Sequence, residues 1–214
     1  MDIHEIMIES GLTPNHFGAL GAAITEAYAA LNGLSNSVPM LGSSFLPGHR
    51  SLGSMRNVAV QHALHLKAKE TRLFQADYGW NAINNHAFLQ LKYKRVQLTA
   101  HYLGPLGTRG IRRAIYRSEL QMRNGDLFAG ERKRPDIHPK GQVYAQIVHG
   151  GLLKPVLAAI RIPNRDYLSR KLSSFVLQIG EPSSVAIENV KDRIAETMKA
   201  RKKGRGRIQD RDAS

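Results

Sequence analysis

The sequence predicts a single α+β domain: helices first, then a mostly antiparallel sheet of about six strands with one inserted helix, then a C-terminal helix and a basic tail. Three observations predict it. Apolar residues recur at helical spacing through residues 1–69. Short alternating or continuous apolar runs bounded by turn residues fill 72–103 and 142–179. Between them, 111–123 returns to helical spacing. With 42% hydrophobic and 22% charged residues the composition is globular, and 214 residues suit one domain, assigned to 1–198 with a tail at 199–214.

Ile3 to Glu9 predicts a short helix that stops at Gly11. Thr13 is a natural N-cap ahead of Pro14, and Phe17, Leu20, Ile24, Ala27, Tyr28 and Leu31 carry the second helix to Asn32-Gly33. Residues 33–49 are rich in glycine, proline and serine and predict a long loop, with Val38, Met40, Leu41, Phe45 and Leu46 available to meet the body or a partner. Leu52, Met55, Ala59, His62 and Leu66 mark a third helix over 51–69. Strands are expected at 72–78, 86–93, 96–103, 142–149, 156–162 and 174–179, with Lys94-Arg95 turning a hairpin. A helix over Ile111–Arg123 interrupts them and closes at Asn124-Gly125. After Pro182, a stripe at Ile187, Val190, Ile194 and Met198 predicts the last helix.

Several chemistries are excluded outright. The chain has no cysteine, which removes disulfides, thiolate metal sites and cysteine nucleophiles and fits a reducing cytoplasm. No apolar run is long enough for a secretory h-region or a membrane span, so no membrane partner and a cytoplasmic location are expected. A Walker A loop, G-x-G-x-x-G, G-x-S-x-G and HExxH are absent, and the glycines of 104–110 read as a strand-to-helix turn whose N–H groups would favour an anion.

Charge is concentrated rather than spread. The net charge is +14, yet residues 1–91 contribute −1, whereas 92–134 contribute +8, 135–198 contribute +2 and 199–214 contribute +5. Such an uneven footprint suits a polyanionic partner, DNA or RNA. Arg109 and Arg112 at the start of the 111–123 helix, with Arg113, Arg117 and Arg123 along it, form a candidate phosphate-binding face. Guanidinium forks match phosphate oxygens, and a bound anion would relieve the unfavourable placement of cations at a helix N-terminus. Ile111, Ala114, Ile115 and Met122 are expected to form the opposite, apolar side. Lys199, Arg201, Lys202, Lys203, Arg205 and Arg207 form a second candidate, a flexible arm that neutralises phosphates without reading sequence. The arm has no aromatic residue on which a base could stack.

The first hairpin holds the candidate chemistry. Phe88, Gln90 and Lys92 share one face of a strand, and Asp77 lies near the end of the strand before it. This arrangement resembles the core motif of the PD-(D/E)xK nuclease superfamily over residues 70–92. The resemblance implies Asp77 as a metal ligand, Gln90 in the neighbouring ligand position, Lys92 as the stabiliser of developing charge, Glu70 as an additional acid, and Mg2+ as cofactor. No proline precedes Asp77, Gln90 is neutral, and a hairpin follows Lys92 where that superfamily has a helix. A metal-independent alternative pairs His86 with His101 as acid and base for RNA cleavage, with Arg113, Tyr116 or Glu119 nearby. His62 and His65 lie one helical turn apart without a third ligand at a suggestive spacing. Three functions follow as expectations: a phosphate-backbone-binding protein; an endonuclease or ribonuclease acting as a toxin or defence effector; and a module whose basic face meets an acidic protein.

Overall fold

The computed structural model describes residues 3–37, 46–81, 87–111, 114–124, 142–163 and 174–179. The expected C-terminal helix, the tail with Lys199, Arg201, Lys202, Lys203, Arg205 and Arg207, and the residues His86, Arg112 and Arg113 lie outside that set. Helices α1 (Ile3–Glu9), α2 (Pro14–Ser37) and α3 (Leu46–Thr71) precede strands β1 (Gln75–Trp80), β2 (Ala87–Tyr93) and β3 (Val96–Tyr102). Helix α4 (Ile115–Gln121), which tightens into a 3-10 turn at Met122–Asn124, precedes β4 (Val143–Gly151), β5 (Pro155–Arg161) and β6 (Ser174–Val176). The six strands lie side by side in chain order, antiparallel throughout except for the parallel pair β3–β4. This is the α+β architecture expected. Among the described residues no helix is long and apolar enough to cross a membrane.

One face of the sheet lies against the N-terminal helices, and alternation along the strands decides which residues it receives. Leu89, Leu91, Val96, Leu98, Ala100, Val143, Ala145, Ile147, Ala158 and Ile160 pack with Phe17, Leu20, Ile24, Ala27 and Leu31 of α2 and with Ala59, Val60, Ala63 and Leu64 of α3. The α2 stripe is the one the spacing predicts. Gly21 allows the segment that follows β6 to close on α2, because a Cβ there would run into the main-chain carbonyl of Gln178.

Four expectations about elements are corrected. The loop expected over 33–49 is helix at both ends, and 38–45, with Val38, Met40, Leu41 and Phe45, lie outside the described residues: α2 continues to Ser37, because Leu34 packs on the core and Ser35 Oγ donates to the Asn32 carbonyl at 2.9 Å. α3 begins at Leu46, with Pro47 in the first turn, where a missing N–H costs nothing. The first strand starts at Gln75 rather than 72, because Arg72 takes φ 56° and ends α3 in the left-handed conformation usual for a helix C-terminus. The helix expected over 111–123 starts at Ile115, since Ala114 is extended at φ −151° and ψ 144°. Upstream, the chain is held to the sheet: Arg109 N–H donates to Leu103 O at 2.9 Å, and Ile111 packs on Leu103, Val148 and Ala159. Arg109 therefore sits in a loop, not at a helix start.

The sides of α4 are also exchanged. Ile115 and Met122, expected on the buried side, are 67% and 55% exposed, whereas Leu120, Gln121 and Asn124 are buried. The cause lies beneath the helix, where the second face of the sheet is largely polar. Asn124 makes the tightest of these contacts. The register that sets Gln146 opposite Arg161 would bring Tyr144 opposite Pro163, which has no N–H to donate. The Asn124 side chain fills that gap: Oδ1 accepts from Tyr144 N–H at 2.6 Å, and Nδ2 donates to the carbonyls of Tyr144 at 2.9 Å and Pro163 at 2.8 Å. Asn124→Ala should leave a buried N–H and two carbonyls without partners and cost about 1–3 kcal/mol. Urea denaturation measures this, and a midpoint equal to that of the parent would contradict the assignment.

Candidate functional site

Strand alternation sends a second set of side chains to the face beneath α4. Register aligns Asp77, Gln90, Thr99, Gln146 and Arg161 across β1 to β5, and Gln75, Lys92, Gln97 and Tyr144 in the neighbouring row. The same parity puts Phe88 and His101 one step further along. α4 contributes Tyr116, Arg117, Leu120 and Gln121 from the side it turns to the sheet. Phe88 and Tyr116 stack with ring centroids 3.9 Å apart and planes at 18°. A pair like this adds about 0.5–1.5 kcal/mol beyond its buried area. Arg117 Nη1 donates to Tyr116 Oη at 2.7 Å, so the guanidinium is turned under the helix and half buried.

A chain of buried polar groups runs through the middle. His101 Nε2 is hydrogen bonded to Thr99 Oγ1 at 2.7 Å, and that hydroxyl is bonded to Tyr144 Oη at 2.8 Å. Gln146 Nε2 donates to the same phenol at 3.4 Å, and Gln97 Nε2 donates to Gln90 Oε1 at 3.0 Å. Burial, with Arg117 and His149 adding to it, lowers the His101 pKa to about 3, and burial raises that of Tyr144 to about 12. Both stay neutral near pH 7. Burial disfavours the charged imidazole, and its Nε2 is engaged by the Thr99 hydroxyl.

The structure therefore brings Asp77, Gln90, Lys92, His101 and Arg117 onto one face. Lys92 Nζ lies 3.1 Å from Asp77 Oδ2, and Gln75 Nε2 donates to the same oxygen at 3.1 Å. The Gln90 carbonyl oxygen is taken by Gln97. Glu70 pairs instead with Lys67 at 2.9 Å, and Lys67 also meets Glu26 at 3.1 Å. These donors do not fit a Mg2+ site: one carboxylate, already accepting a cation and an amide on one oxygen, faces a neutral amide. Among the described residues no three His, Asp or Glu side chains gather to hold a metal. His62 and His65 remain on α3, where the His65 ring lies 5.3 Å from that of Tyr78. Arg109 is exposed in the loop after β3, and Arg123 falls in the 3-10 turn.

Sequence reasoning did not single out Thr99, Tyr144, Gln146, Arg161, Gln121 or Asn124. A signal was present for the strand residues. Polar Gln97, Thr99 and His101 alternate with apolar Val96, Leu98 and Ala100, and Tyr144 and Gln146 alternate with Val143, Ala145 and Ile147. Arg161 is half buried, burial lowers its pKa, and its Nε makes no hydrogen bond among the described residues. Comparison with protein-family models, with curated proteins and with solved structures gives no match.

The buried histidines fix the direction of the acid response. On the helix-covered face, His149 Nδ1 lies 3.1 Å from Tyr28 Oη, and burial together with Arg56 lowers its pKa to about 3. Both His101 and His149 thus titrate below the ordinary value of 6.5 when folded. The unfolded chain takes up protons first, so their stabilisation is complete above about pH 6.5 and is lost progressively towards about pH 3. Each contributes a slope of up to about 1.4 kcal/mol per pH unit within that window. Urea midpoints should fall on acidification from pH 7 to pH 5, and His101→Gln should flatten the fall; an equally steep fall in the variant would contradict it.

Proposed function

We propose that the protein binds nucleic acid, DNA or RNA, through the phosphate backbone, using the sheet face beneath α4 and the basic segments that adjoin it. One observation carries this reading. On that face and the inner side of α4, the described residues set Lys92, Arg117 and Arg161 against a single carboxylate, Asp77. Arg109, exposed in the loop after β3, adds a further cation. Guanidinium groups held partly under a helix are poorly hydrated and arrive pre-oriented, which lowers the entropy lost when a phosphate docks. The basic tail adds phosphate neutralisation from outside the described residues.

Counterion release supplies the test. The logarithm of the binding constant should fall linearly with the logarithm of salt concentration, with a slope of about −0.9 for each phosphate neutralised on a duplex. Arg109→Ala and Arg161→Ala should each weaken binding across sequences and reduce that slope by about one. A complex that loses little affinity between about 50 mM and about 200 mM salt would contradict phosphate contact and favour an acidic protein as the partner.

A nuclease reading keeps one observation in its favour, the alignment of Asp77 with Gln90 across β1 and β2. The donor set argues against metal-dependent cleavage, and the low pKa of His101 argues against its acting as general acid or base. Labelled DNA and RNA should therefore remain intact with Mg2+, with Mn2+ and in EDTA. Metal-dependent cleavage that disappears in Lys92→Ala would replace the binding reading with a catalytic one.

A further inference from the structure

Trp80 is the chain's one tryptophan, and it stands 60% exposed on β1, an edge strand of the sheet. Tyr78, two residues earlier, is 50% exposed. Residues two apart on a strand share a face, so the two rings project side by side with their Cα atoms about 6.7 Å apart. Gly79 between them looks to the other face, where an added Cβ would come within 2.8 Å of the Phe88 ring. β1 is therefore closed on one side and carries free aromatic surface on the other. Helix α3 runs beside it, with the His65 ring 5.3 Å from Tyr78 and with exposed Lys69 one turn further along the same helix face.

Building on the nucleic-acid reading above, we infer that this edge is a base-stacking subsite for single-stranded nucleic acid, with unpaired bases seated on Trp80 and Tyr78. The chemistry selects the ligand in two steps. The phosphate-binding reading above, not local charge, supplies the polyanion, since residues 1–91 contribute −1, and the exposed aromatic pair offers that polyanion a stacking surface. A duplex hides the faces of its bases against one another, whereas an unpaired base offers a free π-face to a ring. The Cα separation of about 6.7 Å is about twice the 3.4 Å advance per nucleotide of a stacked strand, so one strand can bring bases to both rings. The same subsite provides the aromatic stacking that the tail lacks.

The single tryptophan makes the subsite directly readable, because fluorescence excited at the red edge reports Trp80 alone. Short unlabelled oligothymidine and oligouridine should quench it saturably, while a duplex of equal length should bind, as followed by anisotropy of a labelled strand, without quenching. Trp80→Ala should weaken single-strand binding by about tenfold or more and leave duplex binding unchanged, whereas Trp80→Phe should retain most of the single-strand affinity. Circular dichroism confirms that the variants stay folded. If single strands bind without quenching and Trp80→Ala binds them as tightly as the parent, the subsite is overturned while the phosphate reading stands. If the parent binds neither single strands nor duplex, both are overturned.

Discussion

Strands that pair in parallel need a connection that carries the chain back to the same end of the sheet, and β3 with β4 imposes that need here. Residues 103–142 are that connection. Because α2 and α3 already cover one face, α4 lies over the other. Everything notable about the second face follows from this. The polar row of β1 to β5 would otherwise be an open, solvated surface of a meander. Under α4 it becomes a partly dry layer in which Thr99, His101, Tyr144 and Gln146 must satisfy one another. Dry polar groups without partners cost far more than paired ones gain, so the arrangement holds only while the network is complete.

The glycines of the connection serve the same end. Gly104 and Gly107 take φ of 86° and 68°, and a Cβ on Gly150 would meet the backbone of both. Main chain packs on main chain there, and Gly151 N–H donates to Gly104 O at 3.2 Å. The loop is thereby pinned to the end of β4 before Ile111 enters the small apolar cluster with Leu103, Val148 and Ala159. At the far end of the helix Asn124 performs the equivalent task beside Pro163. Between those two anchors α4 has little freedom, and Arg117 is held under it rather than waving in solvent. The guanidinium is thus given a direction by the fold, through its bond to Tyr116 Oη.

Periodicity made the layer of helices, the six strands and the hairpin legible, because a helix or strand half buried in one core repeats its apolar residues at a fixed interval. The stripe from Phe17 to Leu31 is one example. Boundaries were less legible where tertiary contacts overrode local signals. Asn32-Gly33 reads as a stop, but Leu34 has a core to enter; Arg72 has no sequence mark of a left-handed cap. α4 was misread for a more general reason. Ile111, Ala114, Ile115 and Met122 lie opposite the arginines and so read as its buried side, whereas the sheet beneath it presents a polar surface that receives Tyr116, Arg117 and Gln121 instead. The candidate site divides in the same way. Alternation placed Asp77, Gln90 and Lys92 on a common face, but the pairing of Asp77 with Lys92 and Gln75, and the neutrality of His101, depend on burial and register that no local pattern carries.

We propose a definite location for the partner: its backbone lies along the exposed rim where the sheet face, α4 and the loop before it meet. Hydroxyl-radical footprinting read by mass spectrometry, with and without saturating duplex, tests this directly. Leu106, Ile115 and Met122 are 78%, 67% and 55% exposed on that side, and Ile8 is 39% exposed on α1. The account predicts that bound duplex protects Leu106, Ile115 and Met122 and leaves Ile8 as reactive as in the free protein. Protection of Ile8 with undiminished oxidation of Met122 and Leu106 would contradict it.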